Sequence, residues 1–340
     1  MLSINNRRYI GGKKKIVPYI KDIIHDFFPD IRNLLLADLF AGTGVVAYEF
    51  AKEGMSVIVN DLLYSNVVAY KAWMSDLDYD NEKIQNELNY LNSIDSSDLE
   101  ENYVSNIYSG KYFSFNDSKK IGYIREYIEN NRVNYTEREY YILLTSLLYA
   151  VDKIANTVGH YESFLKKEPI DCGVNLQMLE ITEMNRNQIY NIDANELVKG
   201  RRFNVVYIDP PYNARQYVNF YHVLENIARW EKPTELEGNS MKFKRNHLKS
   251  GYSQAKAPVL MNQLITDLDC DLIILSYNNT YNARSGASNN KITEEEIINC
   301  LSRKGDVRKI EIDYKGFNAG KTDFSNHKEF LFVCNVNNML

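Results

Sequence analysis

The chain has 340 residues, 44% hydrophobic and 25% charged, with a formal net charge of −5. That is the make-up of a soluble globular protein, long enough for one large domain or a core domain with a sizeable insertion. No apolar run approaches the ~20 residues that span a bilayer, and Cys172, Cys270, Cys300 and Cys334 lack CxxC spacing, so neither a zinc site nor a disulfide framework is indicated.

The opening segment, MLSINNRRYIGGKKK, lacks the apolar core of a signal peptide and carries no acid before Lys21. Its Gly-Gly turn and basic run place Tyr9, Gly12 and Lys13 just before a first helix. Tyr9 and Lys13 suit closure over a small zwitterion; a basic arm capping the domain is the alternative. Next, LLLADLFAGTGVVAYEF (34–50) reads as a strand, a glycine turn and a helix start. Gly42 and Gly44 permit a tight turn that brings backbone amides close to a ligand. Ala47 stands where a third glycine would complete the dinucleotide fingerprint. The strand SVIVND (56–61) ends at Asp61, where a carboxylate can accept two ribose hydroxyls.

An interruption of roughly 125 residues follows, breaking the strand–helix rhythm. It opens with an acidic tract over 76–101 and holds one clear helix over 136–156, where Thr136 and Glu139 form a capping-box pattern. NTVGHYESFLKK (156–167) follows, and His160 in it suits a DNA contact or an ordinary structural role. MNRNQ (184–188) has side chains suited to major-groove readout. The rhythm resumes with strands at 188–194, ending near Asp193, and at 203–209. Apolar runs at 270–277, 307–314 and 329–336 bring the count to seven. The continuous ones suit parallel strands covered on both faces; the last two alternate and read as an antiparallel pair at a sheet edge, joined by KGFNAGKTDFSNHK.

After the strand at 203–209 comes DPPYNARQY, Asp209 to Tyr217. Pro210 and Pro211 cannot donate to a ladder, so they stop the strand and hold Asp209 and Tyr212 at its carboxyl end, where open α/β sheets bind ligands. An acceptor beside an aromatic suits a flat heterocycle bearing an amino group. Asp209 and the following carbonyl can take both amino hydrogens, and Tyr212 can stack on the ring. Catalysis is then alignment plus electrostatics, without a metal. A helix over 219–230 follows, and 238–266 is again free of acid, with Lys242, Lys244, Arg245, Lys249 and Lys256 among aromatics. Segregated positive charge of this kind lines phosphate-binding surfaces, or is plain solvated charge.

DPPY after a strand, with ADLFAGTG upstream, resembles the adenine-specific, S-adenosylmethionine-dependent DNA methyltransferases of restriction–modification systems. DPPYNARQYVNFYHVLENIARW and LSYNN are similar to one branch of that family, and the motif order is that of its alpha group. The resemblance spans nearly the whole chain and is weakest over 62–135. It implies an α/β, Rossmann-like methyltransferase fold: a seven-stranded, mostly parallel sheet with an antiparallel last strand, and an inserted helical target-recognition subdomain. The expected division is a catalytic domain from 1–61 and 188–340 and an insertion from 62–187.

The resemblance further implies that Tyr9, Gly12, Lys13, Asp38, Phe40, Gly42, Gly44, Asp61, Asp193 and Asp209 bind S-adenosylmethionine, leaving S-adenosylhomocysteine as product. Asp209, Pro210, Pro211 and Tyr212 would hold a flipped adenine. His160, Arg215, Gln216, Lys242, Lys244, Arg245 and Lys249 are candidates to grip DNA. The implied activity is methylation of the adenine 6-amino group in duplex DNA, in a bacterial cytoplasm, by a monomer or weak dimer with a possible restriction endonuclease partner and no membrane. RNA bases or protein glutamines are the alternative acceptors. A nicotinamide-dependent oxidoreductase is disfavoured by the missing glycine and by DPPY, and a non-catalytic DNA-binding module by the intact Asp209 and Tyr212. RRFN at the start of the catalytic-turn strand has no role at this level.

Overall fold

The computed structural model describes residues 1–184, 186–281, 286–313 and 328–337. It divides into two compact units: a helical unit of Met1–Ile10, Leu63–Glu183 and Val218–Asn246, and a sheet unit of Gly11–Leu62, Met184–Tyr217 and His247–Leu340. The helical unit therefore contains 1–10 and 218–246 in addition to most of the expected insertion.

The sheet unit is built on seven strands, β1 (Leu35–Asp38), β2 (Ser56–Asn60), β3 (Gln188–Tyr190), β4 (Arg202–Ile208), β5 (Asp269–Asn278), β6 (Gly305–Asp313) and β7 (Lys328–Val336). Their order is β3-β2-β1-β4-β5-β7-β6. The first five are parallel, and β7 runs antiparallel between β5 and β6. Only β6 of the last pair lies at the edge. The loop KGFNAGKTDFSNHK falls almost wholly outside the described residues, as does Asn185 of MNRNQ.

Burial explains the sequence pattern. Every residue of β4 from Val205 to Ile208 is buried, as are Leu272–Tyr277 of β5 and Phe330–Cys334 of β7. Side chains on both faces of a central strand leave water, at ~1.5–3 kcal/mol for each large aliphatic. β3 is shorter than its apolar run because Asp193 caps the short helix Ala194–Leu197 instead, accepting from the Asn195 amide at 2.8 Å.

The helical unit contains helices Tyr64–Trp73, Asn81–Ser93, Tyr103–Tyr108, Phe115–Asn130, Glu137–Ile154 and His222–Arg229. Thr136 and Glu139 form the capping box anticipated for the long helix. Two buried charges tie the bundle. Glu225, fully buried, accepts from the Tyr64 and Ser65 amides at 2.9 Å each, satisfying donors that the start of a helix leaves open. Arg125 donates to the Ile227 carbonyl at 2.8 Å and the Ala228 carbonyl at 3.3 Å, closing the opposite end of helix His222–Arg229. Among the described residues, no helix is long and apolar enough to cross a membrane.

Candidate active site

At the carboxyl end of β1 the chain turns through Gly42 (φ 55°) and Gly44 (φ 78°), left-handed positions that favour glycine, into helix Val45–Lys52. The turn is fastened to the tip of β2. The Gly42 amide donates to Asp61 Oδ2 at 2.9 Å, and the Ala41 amide donates to the Asn60 carbonyl at 2.9 Å. Buried Asn60 extends the fastening to the end of β3, donating to the Leu39 and Ile192 carbonyls at 3.0 Å each. Phe40, half-buried, stands edge-on to Tyr252 with ring centroids 4.9 Å apart. Asp38 is fully buried: Oδ2 accepts from the Ala47 amide at 3.3 Å, whereas Oδ1 makes no hydrogen bond among the described residues. Burial, followed by the charge of Asp209, pushes its carboxyl well above the usual range. A buried acceptor left open in this way is expensive unless a donor or cation meets it. Asp193 is exposed beyond the end of β3.

The Asp-Pro-Pro-Tyr turn follows β4, the parallel neighbour of β1. Asp209 keeps 15% of its side chain exposed, so its carboxylate is open to a ligand on one side. On the other, Asp209 Oδ1 lies 3.0 Å from Lys13 Nζ and accepts from the Tyr212 hydroxyl at 2.6 Å. Lys13 Nζ also donates to the Tyr212 hydroxyl and to Glu329 Oε1, both at 2.9 Å. Glu329, from β7, lies 2.5 Å from the same phenol oxygen and accepts from Ser276 Oγ of β5 at 2.8 Å. The turn is pinned from behind, where the Lys291 amide and the Tyr277 hydroxyl both donate to the Tyr212 carbonyl, at 2.7 and 3.1 Å.

Electrostatics follow from this crowding. Burial pushes Asp209 up to about 6; Lys13 pulls it down and Glu329 pushes it up. Burial opposes the charge on Lys13, but Asp209 and Glu329 together outweigh it, and its pKa lies well above the usual lysine value. Tyr212 is held well above its ordinary value by burial and by both carboxylates. It is a neutral donor in this setting.

Several expectations are altered in detail. The Tyr212 ring has protein neighbours, Tyr277 at 4.5 Å between centroids and Lys13 Nζ at 4.9 Å from the ring centre, and its hydroxyl is what reaches Asp209. Tyr9 and Lys13 belong to different units: Tyr9 stacks on Tyr221 at 4.7 Å, with Arg7 at 5.6 Å from its ring centre. Gly12 is half-buried, directly before Lys13. Glu329 and Ser276 were not singled out by the sequence reading. Ser276 lies inside the noted string LSYNN, whereas Glu329 opens the run EFLFVCNV and looks like an exposed strand start.

Of the candidate DNA-gripping residues, Arg215 and Lys249 are exposed in the sheet unit. Gln216 is buried, and its amide brackets Ser250, donating to its carbonyl at 3.0 Å and accepting from its amide at 2.8 Å. In the helical unit, Lys242 pairs with Glu162 at 3.0 Å, Lys244 with Glu235, and Arg245 with Asn219 at 2.6 Å and Glu237 at 3.4 Å. Half-buried His160 rests on Phe220 with ring centroids 5.0 Å apart. Arg202 pairs with Asp269 at 3.3 Å and with Asp271, and Arg201 donates to the Tyr190 hydroxyl at 2.8 Å. Both lie at the amino-terminal end of β4, away from the turn; Arg202 ties β4 to its neighbour β5, whereas Arg201 reaches the side chain of Tyr190 on β3, which does not adjoin β4.

Residues 9–290 match the D12 class N6 adenine-specific DNA methyltransferase family. The chain is similar to the modification methylase StsI of Streptococcus sanguinis, 37% identical over 92% of this chain and 50% of that protein. It is also similar to the type II methyltransferase M.NlaIII of Neisseria lactamica, 31% identical over 94% of this chain and 95% of that protein. A third relative, M.FokI of Planomicrobium okeanokoites, is 30% identical over 96% of this chain and 52% of that protein. The chain thus spans about half the length of two of these relatives and nearly all of the other. With its sheet order and its Asp-Pro-Pro-Tyr turn at the carboxyl end of β4, the chain belongs to the D12 class of N6 adenine-specific DNA methyltransferases.

Proposed function

We propose that the chain moves a methyl group from S-adenosylmethionine to the exocyclic 6-amino group of an adenine extruded from duplex DNA. The observation that carries this is the partly open Asp209 carboxylate, fixed by Lys13 and Tyr212 on the strand adjoining the Gly42–Gly44 turn. The donor set fits the cofactor. Asp38 presents a buried, unmatched oxygen suited to a cationic group, Asp61 stands at the tip of β2 to receive ribose hydroxyls, and exposed Asp193 suits the adenine amino group. Bound there, S-adenosylmethionine supplies an electrophilic methyl on a sulfonium. Asp209 accepts from the target amino group, with the carbonyl that follows it taking the second hydrogen, so that the nitrogen lone pair points outward. As the nitrogen–carbon bond forms and the sulfur–carbon bond breaks, one amino proton must leave. Asp209, at about 6, is basic enough to receive it.

Extruding the base costs a few kcal/mol. Arg215 and Lys249 in the sheet unit and His160 and Lys244 in the helical unit are assigned to grip DNA, and the helical unit is assigned to read the target sequence. A cognate endonuclease, a cytoplasmic setting and a monomer or weak dimer complete the reading. The test is transfer of labelled methyl from S-adenosylmethionine to duplex DNA, RNA and protein side by side. Label in duplex DNA alone supports the proposal. Label in RNA or protein but not in DNA would replace the acceptor.

A further inference from the structure

Proton bookkeeping in the cluster around Tyr212 yields an additional role. Seven close contacts join Lys13, Asp209, Tyr212, Glu329 and Ser276. The three ammonium hydrogens of Lys13 serve Asp209 Oδ1 at 3.0 Å, Glu329 Oε1 at 2.9 Å and the Tyr212 oxygen at 2.9 Å. Four contacts remain: Tyr212 with Asp209 at 2.6 Å, Tyr212 with Glu329 at 2.5 Å, Ser276 with Glu329 at 2.8 Å, and a longer one between Tyr212 and Ser276 at 3.2 Å. The phenol and the serine bring one hydrogen each. Without one more proton, two carboxylate oxygens would compete for a single phenol hydrogen in a buried site, at a distance normal only for a strong hydrogen bond.

We propose that Glu329 is a positioning residue of the methyl-transfer site, sharing one proton with Asp209 across the Tyr212 phenol and thereby setting the protonation state of Asp209. Glu329 is 2% exposed and stands on β7, opposite Asn278 of β5. It reaches Asp209 only through the phenol and the ammonium, so it acts through other residues. Raising of Asp209 to about 6 agrees with this arrangement. The charged and titratable groups facing Asp209 are Lys13 from the amino-terminal segment, Asp38 at the end of β1, Tyr207 on β4, Tyr212 and Tyr217 from the turn, and Glu329 from β7. Among them Glu329 is the anion that shares both Lys13 and Tyr212 with Asp209. The negative charge of Glu329 holds Asp209 up, so removing it moves the Asp209 value. The role in catalysis rests on the methyl-transfer reading, whereas the proton sharing does not.

The experiment is a pH titration of the full chain carrying carbon-13 in its Asp and Glu carboxyls. The Asp209 signal is identified by its loss in Asp209→Asn. Glu329→Gln removes the second negative charge and frees Lys13 for Asp209, so the Asp209 midpoint should fall by about one pH unit. Glu329→Asp keeps the charge but withdraws it by one methylene, so the midpoint should fall less, and this variant serves if the glutamine form does not fold. In methyl-transfer assays the acid limb of the pH profile should shift with the midpoint. An Asp209 midpoint unchanged in the folded variant overturns the inference, whether or not methyl transfer occurs. A wild type that transfers no methyl to DNA overturns the function reading alone, since the titration is still readable.

Discussion

The amide of Gly42 donates to Asp61 Oδ2 at 2.9 Å, so the glycine turn after β1 and the acid at the tip of β2 are one construction. The carboxylate proposed to hold a ribose also fixes the glycine turn proposed to face the rest of the cofactor. Asp61→Ala should therefore weaken S-adenosylmethionine binding by more than the loss of a single contact, at least tenfold, with DNA affinity little changed. Calorimetry with each ligand separately measures both.

Tyr212→Phe removes a donor that favours the charged form of Asp209. Losing it should raise the Asp209 pKa above about 6 and move the acid limb of methyl transfer to higher pH. The rate at the optimum should fall about 10²-fold, the usual scale for a positioned polar group. A pH–rate profile of the variant beside wild type reads both effects.

Asp209 also carries a stability signature. Its folded-state value of about 6 lies above the ordinary 3.8, so the folded chain holds this proton more tightly than the unfolded chain does. Its favourable contribution is present below the unfolded value and is lost as pH rises through about 6. Asp209→Asn, which mimics the protonated form, should be more stable than wild type at pH 8, by on the order of 1–3 kcal/mol. The difference should vanish near pH 4 as the wild-type carboxyl becomes neutral. Urea unfolding at the two pH values tests this, with methyl transfer lost throughout.

In the helical unit, Arg125 is 1% exposed and is bonded to two backbone carbonyls, to Glu129 at 2.9 Å and to the Tyr140 hydroxyl at 3.2 Å. Arg125→Ala would leave buried acceptors unpaired and should cost about 3–5 kcal/mol in denaturant unfolding. Arg125→Lys keeps the charge but not the fork, and should recover only part of the loss.

What was legible in the sequence was local. The glycine turn, the double-proline turn and the Thr136–Glu139 capping box each lie within a few residues, and each has a stereochemical reason that needs no neighbour. The central strands were legible because buried parallel strands read as continuous apolar runs, and the last two were read as an antiparallel pair from alternation. The partnership around Tyr212 was not: Lys13 is 199 residues away and Glu329 is 117 residues away in sequence, and their meeting depends on β7 inserting between β5 and β6. A lone acid at the start of an apolar run looks like an exposed strand end until that insertion buries it. The helix read over 219–230 is likewise broken in the structure, into Tyr217–Phe220 and His222–Arg229. Tyr221 between them is buried, and its hydroxyl accepts from the Ile10 amide at 2.7 Å.

The central claim is tested most directly by the methylated product itself. Duplex DNA incubated with S-adenosylmethionine and either wild type or Asp209→Ala is digested to nucleosides and weighed by mass spectrometry. The account predicts 6-methyladenine with wild type and none above background with the variant. Methylcytosine in place of methyladenine, or equal 6-methyladenine from the Asp209→Ala protein, would contradict it.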